Sequence, residues 1–345
     1  MWHAFPHSLG LGLALGIWGA VMTFAPLINW FLGKQHWHGA LALASWVSYL
    51  WMGFLFLFCC IALVFDTATW VAALLGHGWR PSGIKSLLII AVPALALAGY
   101  GTFAARQVRV QELKIVTPKL ASGRLTIAQI SDLHLGAMLG GEFLDRIVDM
   151  LRAARPDVIV ATGDIVDGQG DRLDELARLF RELQPPQGAY AVMGKHEYFA
   201  GLDASQRFLT EAGFTVLRGE SAPVGGILLV GVDDPTVGAR VKEISAQTRR
   251  ALVAARQNTF IVLLKHQPVV DNDVPFDLQL SGHVHGGQIF PFGILTLLTY
   301  GVLGGSFDVS DGRTLYVSRG AGTWGPPMRL FAPPEITLIT IESGR

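Results

Sequence analysis

The sequence predicts an α/β layered domain preceded by transmembrane helices, and three observations point there. Charge is nearly absent from the first 105 residues, where Lys34, Asp66, Arg80 and Lys85 are the only charged side chains. From Arg124 onward, short aliphatic and β-branched runs alternate with amphipathic helical spacing. Polar segments rich in Asp and His sit where several of those runs stop.

Ser8 to Leu32, Gly39 to Phe65 and Ser86 to Ala105 carry no formal charge. About 20 apolar residues at helical rise cross a bilayer core of roughly 30 Å, so each reads as a membrane span. The second can extend past Asp66 to Leu75. Trp30, Trp37, Trp46, Trp51, Trp70 and Trp79 gather near the expected span ends, as an aromatic belt does. No Lys or Arg precedes the first run and two more follow, which argues against a cleavable signal peptide. Asp66 has no intramembrane partner, so it reads as a residue near a helix end, and transport is not implied. The adjacent Cys59 and Cys60 lie in an apolar run and read as small buried groups.

With three spans, Lys34 shares a side with Arg106, Arg109 and Lys114, against Arg80 and Lys85. The positive-inside rule then places the C-terminal domain in the cytoplasm. The expected organisation is a multi-pass region at the cell membrane over 1–105, a linker over 106–123 and a soluble domain over 124–345. Residues 106–345 hold two more acids than bases, a balance that offers nucleic acid no attraction.

Within the soluble domain, Leu125–Ile130, Asp157–Ala161, Tyr190–Met193, Ile227–Val232 and Phe260–Leu264 read as strands. Gln279–Leu280, Thr314–Ser318 and Ile336–Ile341 close the series. Helical spacing appears over Glu142–Ala154, around Asp171–Leu183, near Ala204–Ala212 and near Ile244–Arg256. Continuous apolar runs suit strands covered on both faces. The later strands lack intervening helices, so a mixed sheet or a two-sheet sandwich with flanking helices is expected.

The polar segments are Asp132-Leu-His134, Gly163-Asp164, Gly194-Lys195-His196-Glu197, His266-Gln-Pro268 and Gly282-His283-Val-His285. Ligands in layered α/β folds bind beyond the carboxyl ends of strands, where these loops collect. If the segment after the first strand is extended, Asp132 and His134 point the same way and can share one ion. Asp164 has two oxygens and can bridge two. Mixed Asp and His donors suit Mn, Fe or Zn. Any one of these segments alone is as well explained by turn capping; all five in order at strand ends are not.

Together they resemble the calcineurin-like metallophosphoesterase superfamily, whose pattern runs DxH, GD, GNH(E/D), H, GHxH. The resemblance covers residues 124–345. The stretches Ser281-Gly-His-Val-His-Gly-Gly-Gln288 and Gly322-Thr-Trp-Gly-Pro-Pro-Met-Arg-Leu330 are similar to its membrane-anchored bacterial branch. The resemblance implies a four-layer αββα sandwich and an enzyme holding one or two divalent metal ions. It assigns Asp132, His134, Asp164 and His285 to the first metal, and Asp164, His266 and His283 to the second. His196 would contact the scissile phosphate and protonate the leaving group. Two cations would neutralise phosphoryl oxygens and lower the pKa of water, giving hydroxide for in-line attack.

The departure is Lys195, where the family has Asn. An ammonium has three donors and no acceptor and cannot ligate a metal. Either it replaces the second ion with a fixed charge, or it loses its proton or swings out and a second ion binds weakly. The alternative to an enzyme is a non-catalytic membrane scaffold or sensor. The apolar stretch Ile289–Tyr300 reads either as a core-packing loop or as a lip dipping into the bilayer. By analogy with the branch, the lip reading favours a phosphoester or pyrophosphate of a lipid or lipid-linked nucleotide, such as a UDP-diacylglucosamine-type pyrophosphate or a phospholipid. Arg319 and Arg329 suit either a second phosphate or structural ion pairs.

Overall fold

The computed structural model describes residues 9–34, 37–78, 81, 83–167, 173–234, 251–252, 258–272 and 274–344. Trp79, Arg80 and nearly all of the helix expected near Ile244–Arg256 lie outside them. The chain divides into two compact units, Met1–Arg106 with Gly325–Leu330, and Gln107–Trp324 with Phe331–Arg345.

In the first unit, α1 (Leu9–Thr23) and α2 (Ala25–Lys34) replace the single span expected over Ser8 to Leu32. They are bent by 60°. Helices α3 (His38–Leu74) and α4 (Gly83–Ala104) are each long and apolar enough to cross a membrane. At 37 residues, α3 is about 55 Å long, well beyond a bilayer core of roughly 30 Å. Residues 325–330 join this unit: the Arg329 N–H donates to Gly101 O at 2.9 Å, and a Cβ on Gly53 would overlap Met328.

Between Ala104 and Arg109 there are only residues 105–108. The stretch expected to be a linker instead supplies a strand, β1 (Arg109–Thr117), which runs parallel to β12 (Glu335–Ser343). Its alternating Val110, Glu112, Lys114 and Val116 gave no continuous apolar run, so the signal was weak.

Chain order continues with β2 (Arg124–Ile130), α5 (Gly141–Ala154), β3 (Val158–Ala161), α6 (Leu173–Arg181) and β4 (Ala189–Ala191). Helices α7 (Lys195–Ala200) and α8 (Leu202–Glu211) follow, then β5 (Phe214–Val216), β6 (Glu220–Val224) and β7 (Ile227–Gly231). After β8 (Phe260–Leu264) and β9 (Leu278–Ser281) come α9 (Phe292–Tyr300), β10 (Gly305–Val309) and β11 (Arg313–Val317). Among the described residues the strands form two six-stranded mixed sheets, ordered β1-β12-β2-β3-β4-β5 and β10-β11-β9-β8-β7-β6.

Side-chain alternation builds the layers. Ile127, Val158 and Val160 of the first sheet share a core with Ile227, Leu229 and Val262 of the second. Their neighbours Ala128, Ile130 and Ile159 turn the other way, onto Phe143, Ile147, Leu176 and Phe208 of the helices. Leu228, Val230 and Leu263 likewise face outward, against Ala251 and Phe276. Two sheets sandwiched between helices is the expected layered architecture. Strands β2, β3 and β4 run parallel in one sheet, and β7, β8, β9 and β11 in the other.

Candidate metal centre

The loops leaving β2, β3 and β4 meet those leaving β8 and β9. The His283 N–H donates to both oxygens of Asp132, at 3.0 and 3.1 Å, and His266 Nδ1 lies 2.8 Å from Thr162 O. Three groups of donor atoms form, each within 4.8 Å: Asp132, His134 and His285; Asp164, His266 and His283; and His134, Asp164 and His196. All seven residues singled out in the sequence are thus brought together. The first group holds three of the four residues that the resemblance assigns to the first metal, the second holds all three assigned to the second, and the third puts Asp164 beside His134 as well.

Close approach is built into the backbone. Asp132, His134, Asp164, His283 and His285 all have φ between 50° and 73°. The segment after β2 is therefore not extended, contrary to the sequence expectation. Left-handed backbone at a non-glycine residue costs on the order of 1–3 kcal/mol, which the surrounding packing must offset. Glycines supply the remaining room: a Cβ on Gly282 would overlap Ser131 Oγ and Asp132 Oδ2, and one on Gly194 would overlap Asp164.

The donor set suits divalent cations. A carbonyl only accepts, so His266 Nδ1 must carry the proton donated to Thr162 O. Its buried Nε2 lies 3.0 Å from Asp164 Oδ2 without a hydrogen bond of ordinary geometry; burial lowers the imidazole, but the Asp164 charge holds it well above its usual range. A divalent cation set between the two would take the place of that proton. On the other side, His134 Nδ1 meets Asp167 Oδ1 at 2.7 Å, and its Nε2 lies 3.0 Å from His285 Nε2. Burial, then the charge of His266, pushes the His283 imidazole down to about 4, leaving it neutral with a lone pair at pH 7.

Two carboxylates given no role from the sequence, Asp167 and the motif residue Glu197, hold this arrangement. Asp167 takes both His134 Nδ1 and His196 Nδ1 on one oxygen, at 2.7 and 2.8 Å. Burial would raise its carboxyl, but His134 and then His196 hold it well below the usual range. In return, and against its own burial, His134 is raised to about 9 by Asp167. Buried Glu197 accepts the backbone N–H groups of Asp164, Ile165, Val166 and Gly194 at 2.6–3.2 Å, fixing the loop after β3. The His196 N–H donates to Asp164 Oδ1 at 2.8 Å. Tyr300 was also missed; its OH lies 2.7 Å from His283 Nε2.

Half-buried Lys195 places its ammonium 5.5 Å from the centroid of the Phe199 ring, and its charge adds to the depression of His283. Arg319 pairs with buried Glu335, which also accepts from Tyr316 OH at 2.9 Å. Arg329 is buried in the helical unit. Neither supports the second-phosphate reading.

The fold and its clustered Asp and His donors define a metal-dependent hydrolase. The family profile described as calcineurin-like phosphoesterase matches residues 125–287. An Aquifex aeolicus protein described as an uncharacterized metallophosphoesterase is 37% identical over 254 residues, covering 72% of this chain and 97% of that protein. A Danio rerio transmembrane protein with metallophosphoesterase domain is 31% identical over 333 residues, covering 90% of this chain and 75% of the relative. A Helicobacter pylori protein described as an uncharacterized metallophosphoesterase is 33% identical over 270 residues, covering 76% and 72%. The chain belongs to the calcineurin-like metallophosphoesterases and is a phosphoesterase hydrolase that uses divalent metal ions.

Proposed function

We propose that this chain is a multi-pass membrane enzyme that hydrolyses a phosphoester or pyrophosphate bond of a lipid or lipid-linked nucleotide, with its catalytic domain in the cytoplasm. The observation that carries the reading is the pair of donor groups, Asp132–His134–His285 and Asp164–His266–His283, with His196 beside both. When bound, divalent ions supply positive charge for the phosphoryl oxygens and make water a nucleophile near neutral pH. Asp132, His134 and His285 would hold the first ion; Asp164, His266 and His283 would hold the second, with Asp164 serving both.

His196 is the group left to move a proton. Its Nδ1 is occupied by Asp167, which orients the ring toward a departing alkoxide that it would serve as proton donor. Lys195 adds a positive charge near the second group, weakening the second ion relative to the first. The apolar helices keep the domain beside membrane-borne substrates, with residues 1–105 as anchor and 124–345 as the catalytic body.

The test is metal content of chelator-washed, Mn-reloaded full-length protein, with turnover of an aryl phosphodiester on the same sample. Metal with turnover is expected. Metal without turnover of either the aryl ester or phospholipid vesicles would favour the scaffold, and absence of metal would overturn the enzyme reading.

A further inference from the structure

Helix α9 is inside out for a protein in water. Its buried positions are the small and polar Gly293 and Thr296. Phe292, Ile294, Leu295, Leu297 and Leu298 stand 45–79% exposed. Helices α5, α6 and α8 of the same unit do the reverse and bury their Leu, Ile, Val and Phe, as water requires. The inward face approaches its neighbour closely: a Cβ on Gly287 would overlap the Gly293 backbone. The apolar surface continues past the helix, where half-exposed Phe290 meets the exposed Phe331 ring at 5.8 Å. From Gly286 to Phe307 there is no Asp, Glu, Lys or Arg.

A continuous exposed apolar surface of this kind marks a contact site rather than scattered surface residues. The chain itself argues for the occupant. The apolar helix α4 ends at Ala104 and β1 begins at Arg109, a tether of under about 20 Å at full extension. If α4 spans a bilayer, that short tether keeps the soluble unit at the membrane, and lipid is an apolar phase within its reach.

We propose that α9, with Phe290 and Phe331, is a membrane-docking surface that lies in the boundary between headgroups and acyl chains. Tyr300 ends the helix with a ring suited to that boundary, and its OH is bonded to His283. Docking therefore seats the metal centre at headgroup depth. On another flank, exposed Phe199 and Trp324 have rings 6.0 and 6.2 Å from that of His196. The proposal rests on the membrane reading, and its test does not depend on hydrolysis.

The experiment uses the full-length chain with Cys59 and Cys60 replaced by Ser. Leu298→Cys carries an environment-sensitive fluorophore, and the protein is reconstituted in phosphatidylethanolamine–phosphatidylglycerol vesicles containing a lipid with a nitroxide near its headgroup. Asp149→Cys on α5, where Asp149 is 72% exposed, is the reference. The Leu298 probe is expected to shift to the blue and to be quenched at least about threefold more strongly than the reference, as for a helix set into the interface. Equal quenching at the two positions overturns the proposal. Energy transfer between labelled copies at Leu298 without lipid quenching also overturns it, in favour of a second copy of this chain.

Discussion

One oxygen of Asp167 serves two histidines, His134 and His196. Asp167→Asn keeps the size but loses the charge. Metal affinity should fall about 10–100-fold, as when other carboxylates behind a ligating histidine are lost; competition with a chelating dye would measure it. Lys195→Asn exchanges a repelling ammonium for an amide oxygen that can ligate. Elemental analysis should show more metal per chain, and an unchanged ratio would sink the idea that Lys195 weakens the second ion. Gly282→Ala forces a Cβ into Asp132 and Ser131, so metal should be lost while the far helices keep their circular dichroism. The seven Asp and His residues were legible because five motifs in order at strand ends admit few explanations. Asp167 was not: an Asp three residues past another in a loop reads as a turn cap, and only the fold places it behind both rings.

At the scale of elements, the strands with continuous apolar runs were legible to within a few residues, since burial on both faces leaves no polar alternation to confuse them. β5, β6 and β10 were not, because each is short and partly exposed. Helix α9 was legible only as apolar. Its sequence carries Gly and Thr where a core-facing helix would carry Leu, and the inward side is the one on which Gly293 approaches Gly287. The hydroxyl at its end gives α9 a hold on the centre. Tyr300→Phe should weaken binding of one ion about 10-fold, within the range for a lost partner behind a ligand, and leave the other unchanged. Calorimetric metal titration would resolve the two; equal weakening of both would mean that Tyr300 does not act through His283.

At the scale of the whole molecule, Asp132, His134 and Asp164 come from loops of the first sheet, and His266, His283 and His285 from loops of the second. With these as the proposed ligands, metal would bind only when the sheets are joined. Chelation should lower the unfolding temperature of the domain, and reloading should restore it. An ion at 100 times its Kd contributes about 2.7 kcal/mol, a shift of several degrees that differential scanning calorimetry would detect. Strand β12 lies between β1 and β2, so the two earliest strands of the first sheet are joined only through the latest one to be made. During synthesis the apolar helices are complete long before this domain can close. The centre is thus assembled late, on a chain whose helices can already have met the bilayer, and metal capture becomes one of the final events in its biogenesis.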